Sequence, residues 1–223
     1  MLGVVIIGVI FGLVAHNNWD VVLKFANGQP FGVEDPVFGR EVQFYVFSLP
    51  FLNLVRNWLL AAFILSTIGA GIFYAALYVG RNVRFEFDRR VLAHIGGLII
   101  VVLALFAWGY WLGIWDLLFS GSGSIFGAAY TDLHARLPAR WILLGVVVIC
   151  MLILVVSIWR RNYRWPLYAL GGWIGLAIIV GTIYPAIIQR FQVQPNELVL
   201  ESPYIEHNIK YTRQAFGLTD VEE

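Results

Sequence analysis

The chain has 223 residues, a net charge of +1, 60% hydrophobic residues, 13% charged residues and one cysteine. Soluble domains carry about 25% charged residues, so the deficit points to a membrane-embedded protein, and the near-zero net charge gives no electrostatic case for a nucleic-acid partner. The lone Cys150 excludes an internal disulfide and a cysteine metal cluster; amid an apolar run it reads as a small buried side chain.

Five runs free of Asp, Glu, Lys and Arg, at 1–19, 57–80, 91–115, 141–159 and 165–189, hold about half the chain. A bilayer core about 30 Å thick takes roughly 20 helical residues to cross. The runs are apolar on every side, unlike the short alternating strands of a membrane barrel. The fold class expected is therefore an all-α membrane protein. It is a bundle of five transmembrane helices near 2–17, 52–80, 90–117, 141–160 and 165–188, with irregular outer loops and a short amphipathic helix after the last span. The domain reading is a bundle over 1–189 and an extracytoplasmic segment over 190–223 that begins a larger domain.

No positive region precedes the first run, so it is not a secretory signal peptide. Its apolar part, 2–15, is short for a full crossing, and Met1 running directly into LGVVIIGVIFG reads as the cut end of a longer helix. The loop that follows, FANGQPFGVEDPVFGREVQFYVFSLPF, has Gly28, Pro30, Gly32, Pro36 and Gly39 as turn formers. Residues 42–47 fit a short strand or an interfacial helix. The loop's apolar side chains call for packing on the membrane face or on a partner.

Thirteen of the fifteen basic residues are Arg. Arg81, Arg84, Arg89 and Arg90 lie between the second and third runs, and Arg160, Arg161 and Arg164 between the fourth and fifth. The other two loops are poorer in positive charge. The positive-inside rule places the Arg-dense loops in the cytoplasm, so the N-terminus is inside and the C-terminus outside. Trp19, Trp58, Trp115, Trp141, Trp159 and Trp165 fall at or near run ends, where aromatic rings prefer the headgroup level.

Four polar residues near the runs are weighed as sites. Asp116 shares its neighbourhood with Trp108, Trp111 and Trp115 on one helical face; it is either an ion or proton site or, more simply, the end of a helix at the outer interface. His94, one turn into the third run, could ligate a metal, haem or pigment, but a single membrane histidine more often bonds a neighbouring helix. Asp132 and His134 in YTDLHARLP form a D-x-H pair, and two ligands do not define a metal site. The SGSGS segment at 120–124 has no following lysine and no preceding strand, so it is flexible loop and not a phosphate loop. Neither a cofactor nor a metal site is predicted.

GxxxG spacings occur at Gly8/Gly12, Gly109/Gly113 and Gly171/Gly175. They fit a dimerisation face or, more simply, packing inside the five-helix bundle. After the fifth run, Ser202-Pro203 reads as a helix start and Gly217 as its stop, with Tyr204, Ile205, Ile209, Thr212 and Phe216 on one broad face. A lone helix of that length is marginal in water. It is expected to lie over 203–216 along the outer loops or the headgroups.

The segments FGVEDPVFGREVQFYVFSLPF, AAYTDLHARLPA and YPAIIQRFQVQPNELVLESPYIEHNIKYTRQAFGL resemble the bacterial membrane proteins grouped as uncharacterised protein family 0182. The match extends over essentially the whole chain. The one visible departure is Glu41, where the family pattern looks like Asp, and the charge is kept. The resemblance implies a partial chain: the later helices of a bundle of about seven, then the start of a large extracytoplasmic region. It implies a bacterial inner membrane, or a thylakoid membrane in a cyanobacterium. It carries over no catalytic or ligand residue.

The search for a nucleophile, a base and an oxyanion stabiliser finds no cluster, so the expectation is a non-enzymatic integral membrane protein. Its partners would be the lipid bilayer and other membrane subunits, with which it docks as an anchor or accessory subunit while presenting an extracytoplasmic region. The alternative is a channel or transporter component whose polar pathway involves helices missing from this chain, since no run carries a central charge and, apart from Pro166 at the edge of the fifth run, Pro185 is the only proline inside one.

Overall fold

The protein is described by a computed structural model covering residues 2–80, 89–121, 123, 126–160 and 164–218. The Arg-rich stretches 81–88 and 161–163, positions 122 and 124–125 of SGSGS, and the acidic end 219–223 lie outside the described residues. They include Arg81, Arg84 and Arg161, three of the seven arginines behind the inside–outside assignment.

Among the described residues there is no strand, only an isolated antiparallel bridge between Glu34 and Glu41. The helices are α1 (Leu2–Asn17), α2 (Trp19–Ala26), α3 (Leu49–Gly80), α4 (Arg89–Asp116), α5 (Leu137–Arg160), α6 (Arg164–Ile178), α7 (Tyr184–Ile187) and α8 (Glu197–Ala215). With their flanking turns they give four continuous stretches long and apolar enough to cross a membrane: Phe44–Val79, Arg90–Phe119, Asp132–Arg160 and Arg164–Ala215. The first expected span, 2–17, is not among them, because α1 has 16 residues and reaches only about 24 Å. The loop before α3 is also less irregular than expected: it holds α2, and of the two readings for 42–47 it is the helical one that appears, over 44–48.

Prolines explain where helix starts and stops were misplaced. Four π-helical turns, Phe44–Ser48, Asp132–Arg136, Ile179–Ile183 and Ile188–Val193, each end two residues before a proline: Pro50, Pro138, Pro185 and Pro195. A proline has no N–H to give to the carbonyl four residues back, and its ring pushes that carbonyl aside. Here the residue just before each proline donates five back instead: Leu49 to Phe44, Leu137 to Asp132, Tyr184 to Ile179 and Gln194 to Gln189. The wide turn absorbs the proline and the helix continues. The fifth long segment therefore does not end at 188 but runs on as helix, through α7, to Ala215. The tail helix does not begin at Ser202-Pro203 either. It begins at Glu197, past a 3-10 turn over Gln194–Asn196 that carries Pro195, and Pro203 lies inside it. Its end is as expected, with Gly217 in the left-handed region at φ +66°.

The chain divides into two compact units, Met1–Ala62 and Phe63–Glu223. In the first, Phe11 meets Trp58 edge-on at 5.0 Å, Phe25 stacks on Phe51 at 4.1 Å and Phe31 on Phe47 at 5.7 Å. In the second, α4 and α5 form the core through buried Leu103, Val147, Cys150 and Leu154. Gly96 lets Ile158 approach so closely that a Cβ there would lie 2.6 Å from its Cδ1. Helix α6 closes the core with Trp173, which stacks edge-on against Phe106 at 5.0 Å and donates from Nε1 to the Tyr110 hydroxyl at 3.3 Å. Cys150 is the small buried side chain expected, its Sγ 3.4 Å from the Ala169 carbonyl.

Helix α8 has a different character from the rest. It carries Glu197, Glu201, Glu206, His207, Lys210 and Arg213. So many ionisable groups cannot sit in hydrocarbon, and the helical path from Arg164 to Ala215, 52 residues, is more than twice the length a bilayer needs. The α8 part lies beyond the membrane segment.

Candidate functional site

Buried polar groups collect in the second unit where the end of α4, the segment 117–136, the start of α5 and α8 come together. Asp116 ends α4, as expected, and a 3-10 turn over Leu117–Phe119 follows. The chain then folds back: the Gly127 amide, at φ +128°, donates to the Ser120 carbonyl at 2.8 Å. The π turn Asp132–Arg136 comes next.

Asp132 is fully buried. Its Oδ1 takes the Arg136 guanidinium at 2.7 Å and its Oδ2 accepts from the Ala129 amide at 3.2 Å. Arg136 also donates to the Ser120 hydroxyl at 3.2 Å. The neighbouring Thr131 hydroxyl donates to the Gln189 side-chain oxygen, and Gln192 donates to the Tyr130 hydroxyl at 3.2 Å. These bonds tie the segment to the helical path beyond α7. One turn into α5, Arg140 has Nη1 buried without a hydrogen-bond partner, in the field of Asp116 and Asp132. It packs on Gly113, where a Cβ would lie 2.5 Å from that nitrogen.

The least expected member is Glu201 of α8. It is 0% exposed, and neither carboxylate oxygen has a hydrogen-bond partner. Burial pushes its carboxyl above the usual carboxylate range, and the negative charges of Asp132 and Glu197 push the same way. The Tyr130 backbone favours the charged form but is not within hydrogen-bond reach of either oxygen. Burial likewise raises the phenol of Tyr204, one turn on, helped by the charges of Glu201 and Tyr130.

The residues singled out from sequence fare differently. Asp132 belongs to the cluster but His134 does not: it is exposed, stacks on Tyr130 at 4.0 Å and faces the Tyr130 carbonyl at 3.1 Å. The D-x-H pair therefore does not converge, and among the described residues no group of three His, Cys, Asp or Glu could hold a metal ion. His94 lies 3.0 Å from the Tyr74 hydroxyl on the preceding helix, an interhelical bond of the kind expected. Of the glycine strips, Gly113 packs on Arg140, while around Gly8, Gly12, Gly171 and Gly175 no described residue lies within 4 Å of an added Cβ. Glu201 and Arg140 were missed. The one available signal was ELVLES itself, a carboxylate four residues after another in an otherwise apolar stretch.

A second carboxylate-centred structure lies in the first unit. Buried Asp35 accepts from the amides of Val37 at 2.8 Å, Phe38 at 3.1 Å and Arg40 at 3.3 Å, and from the Tyr45 hydroxyl at 2.7 Å. Glu41 accepts from the amides of Phe31 at 2.6 Å, Gly32 at 3.2 Å and Gln43 at 2.7 Å. These bonds fold the loop on itself as a scaffold.

A sequence model described as an uncharacterised protein family, UPF0182, matches residues 1–223. A UPF0182 protein of Cupriavidus necator is 38% identical over 221 residues, covering 98% of this chain and 24% of that protein. One from Rhodococcus erythropolis is 40% identical over 230 residues, covering 99% and 23%. One from Trichodesmium erythraeum is 38% identical over 207 residues, covering 92% and 22%. The chain thus spans about a quarter of the length of these curated relatives. No solved structure matches.

Proposed function

The chain belongs to the uncharacterised protein family UPF0182, and from that premise we propose that it is a non-enzymatic membrane module that docks with other membrane proteins and presents an extracytoplasmic region. In this reading α1 is part of a fifth crossing, the N-terminus is cytoplasmic and α8 emerges on the outer side. The membrane is the bacterial plasma membrane, or the thylakoid membrane in a cyanobacterium.

The observation that carries the reading is the apolar surface left uncovered on the long helices. Ile72 is 65% exposed and Phe73 61% on α3, Leu152 61% on α5 and Leu167 69% on α6. Soluble monomers do not expose such continuous patches; lipid or neighbouring helices must cover them. The bare strip at Gly171 and Gly175 gives a second helix room for close approach. Polar groups gather beyond one end of the helices instead of lining their middle, which favours docking over transport.

The test is purification of the full-length protein from its own membrane in mild detergent. Stoichiometric co-purification of other membrane subunits is the expected result. Selective ion or solute flux by the purified protein alone in proteoliposomes would replace the docking reading with the channel or transporter one.

A further inference from the structure

Glu201 sits on α8 but is buried by a segment more than 70 residues away in sequence. A Cβ added at Gly123 would lie 2.5 Å from the Ala129 Cβ, so the glycine makes room for Ala129; the same position is 3.5 Å from Glu201 Oε2, in ordinary contact with the carboxyl. Farther along α8, Asn208 donates from Nδ2 to the Phe126 carbonyl at 2.9 Å. Among the described residues, helix α8 therefore meets this part of the chain at Phe126 through an outer hydrogen bond and at Gly123 through a buried acid.

That acid needs something to neutralise it, because a buried carboxylate without partners is among the costliest arrangements in a protein. A bound cation would need several more oxygen ligands, and among the described residues no group of three His, Cys, Asp or Glu could hold one. The ionisable groups around it are Glu197 and Tyr204 on its own helix, and Tyr130 and Asp132 on the facing segment, where Asp132 is already paired with Arg136. The stretch 120–129 has no ionisable side chain. The two charges that act on Glu201, from Asp132 and Glu197, are both negative and oppose ionisation.

We propose that Glu201 is a proton-binding site: with the proton on, α8 is latched at Gly123 and Phe126, and loss of the proton releases the helix. The site stands on the packing inside the second unit and does not depend on the docking function. The direction follows from linkage. A carboxyl raised by folding contributes its stability in full below the ordinary carboxylate range, and that contribution is lost as pH rises through the raised value. Release therefore comes on the alkaline side.

Spin labels at Phe126→Cys and Ile209→Cys, both on exposed positions, in the full-length protein in lipid nanodiscs with Cys150→Ala, measure the latch by pulsed electron resonance. One short distance is expected in mild acid. A second, longer one should grow with pH, the ratio of released to latched rising about tenfold per pH unit for a single proton. Glu201→Gln should keep the short distance at every pH. A distance that ignores pH, a transition that survives Glu201→Gln, or a transition that moves with sodium, potassium or calcium at fixed pH would each overturn the proposal. Infrared pH-difference spectra of the protein without the Gln substitution give an independent check. A protonated-carboxyl band must fade with the same midpoint as the latch, and its absence also overturns the site.

Discussion

The loop before α3 and the segment before α5 are both organised on buried carboxylates, yet they solve the cost of burial in opposite ways. Asp35, 8% exposed, is surrounded by donors supplied within ten residues: three backbone amides and the Tyr45 hydroxyl. Pro36 and the left-handed Gly39, at φ +62°, bend the backbone so that those amides converge. Glu201, 0% exposed, is buried by distant packing beside Gly123, and among the described residues neither of its oxygens has a hydrogen-bond partner. A carboxylate whose partners are local backbone acts as a fixed post. One covered by long-range packing without donors gives up its charge, and its burial becomes conditional on a proton. The same side-chain chemistry thus yields a scaffold in one loop and a responsive contact in the other.

The comparison breaks most sharply at Asp35. Asp35→Ala strands the amides of Val37, Phe38 and Arg40 and the Tyr45 hydroxyl. At roughly 1–3 kcal/mol for each group left buried and unpaired, partly relieved by water at the exposed Pro36 side, the local loss is about 3 kcal/mol. Hydrogen exchange should show the 31–43 backbone opening while α5 stays protected. Asp35→Asn should keep part of the protection, because one oxygen remains. If Asp35→Ala leaves 31–43 as protected as before, the carboxylate is not what holds the loop.

A smaller effect is expected at Gly123. In Gly123→Ala the new methyl meets the Ala129 Cβ at 2.5 Å, and neither side can swing away. Overpacking of this kind costs about 1–3 kcal/mol. It should appear as faster exchange over 197–215 with no change in the first unit. Gly96→Ala makes a contrasting control: its close neighbour is the flexible tip of Ile158, which can rotate. Equal effects at the two glycines would mean that the close fit of Gly123 to Ala129 is not what distinguishes the site.

Much of this fold was legible because membrane helices announce themselves by long stretches without charge. The paired core of α4 and α5, the end of α4 at Asp116 and the stop at Gly217 all follow from local signals. The prolines were not read correctly. Pro203 was taken as a helix start, whereas it lies inside α8, and the π turns before Pro185 and Pro195 pass the missing hydrogen bond one residue back so that the helix goes on past 188. Composition carries no sign of a π turn, so only the geometry shows it. Glu201 was hard to read for another reason. ELVLES offers two carboxylates four apart in an otherwise apolar stretch, and nothing near it in sequence tells which residues will cover the second. The turn chemistry of GVEDPVFG, by contrast, was visible from its prolines and glycines, though not the role of Asp35 as their common acceptor.

The last way to sharpen the contrast uses a carboxylate that is paired but not buried. Asp20 on α2 accepts from Lys24 at 2.9 Å, an i,i+4 pair with both side chains in solvent. The Lys24 hydrogen bond holds the Asp20 carboxyl below its ordinary range, so the pair's contribution is present above the ordinary carboxylate range and lost as pH falls through the lowered value. Exposed pairs of this kind contribute little, because water screens the charges and two long side chains must be held still. Lys24→Met should return Asp20 to ordinary titration, readable by carbon-13 NMR of the labelled carboxyl. It should leave the melting temperature and the exchange of α2 unchanged. If pairing alone decided what a carboxylate does here, Lys24→Met would loosen α2 as much as Asp35→Ala loosens the loop; a clear loss of α2 protection would therefore count against burial as the deciding factor.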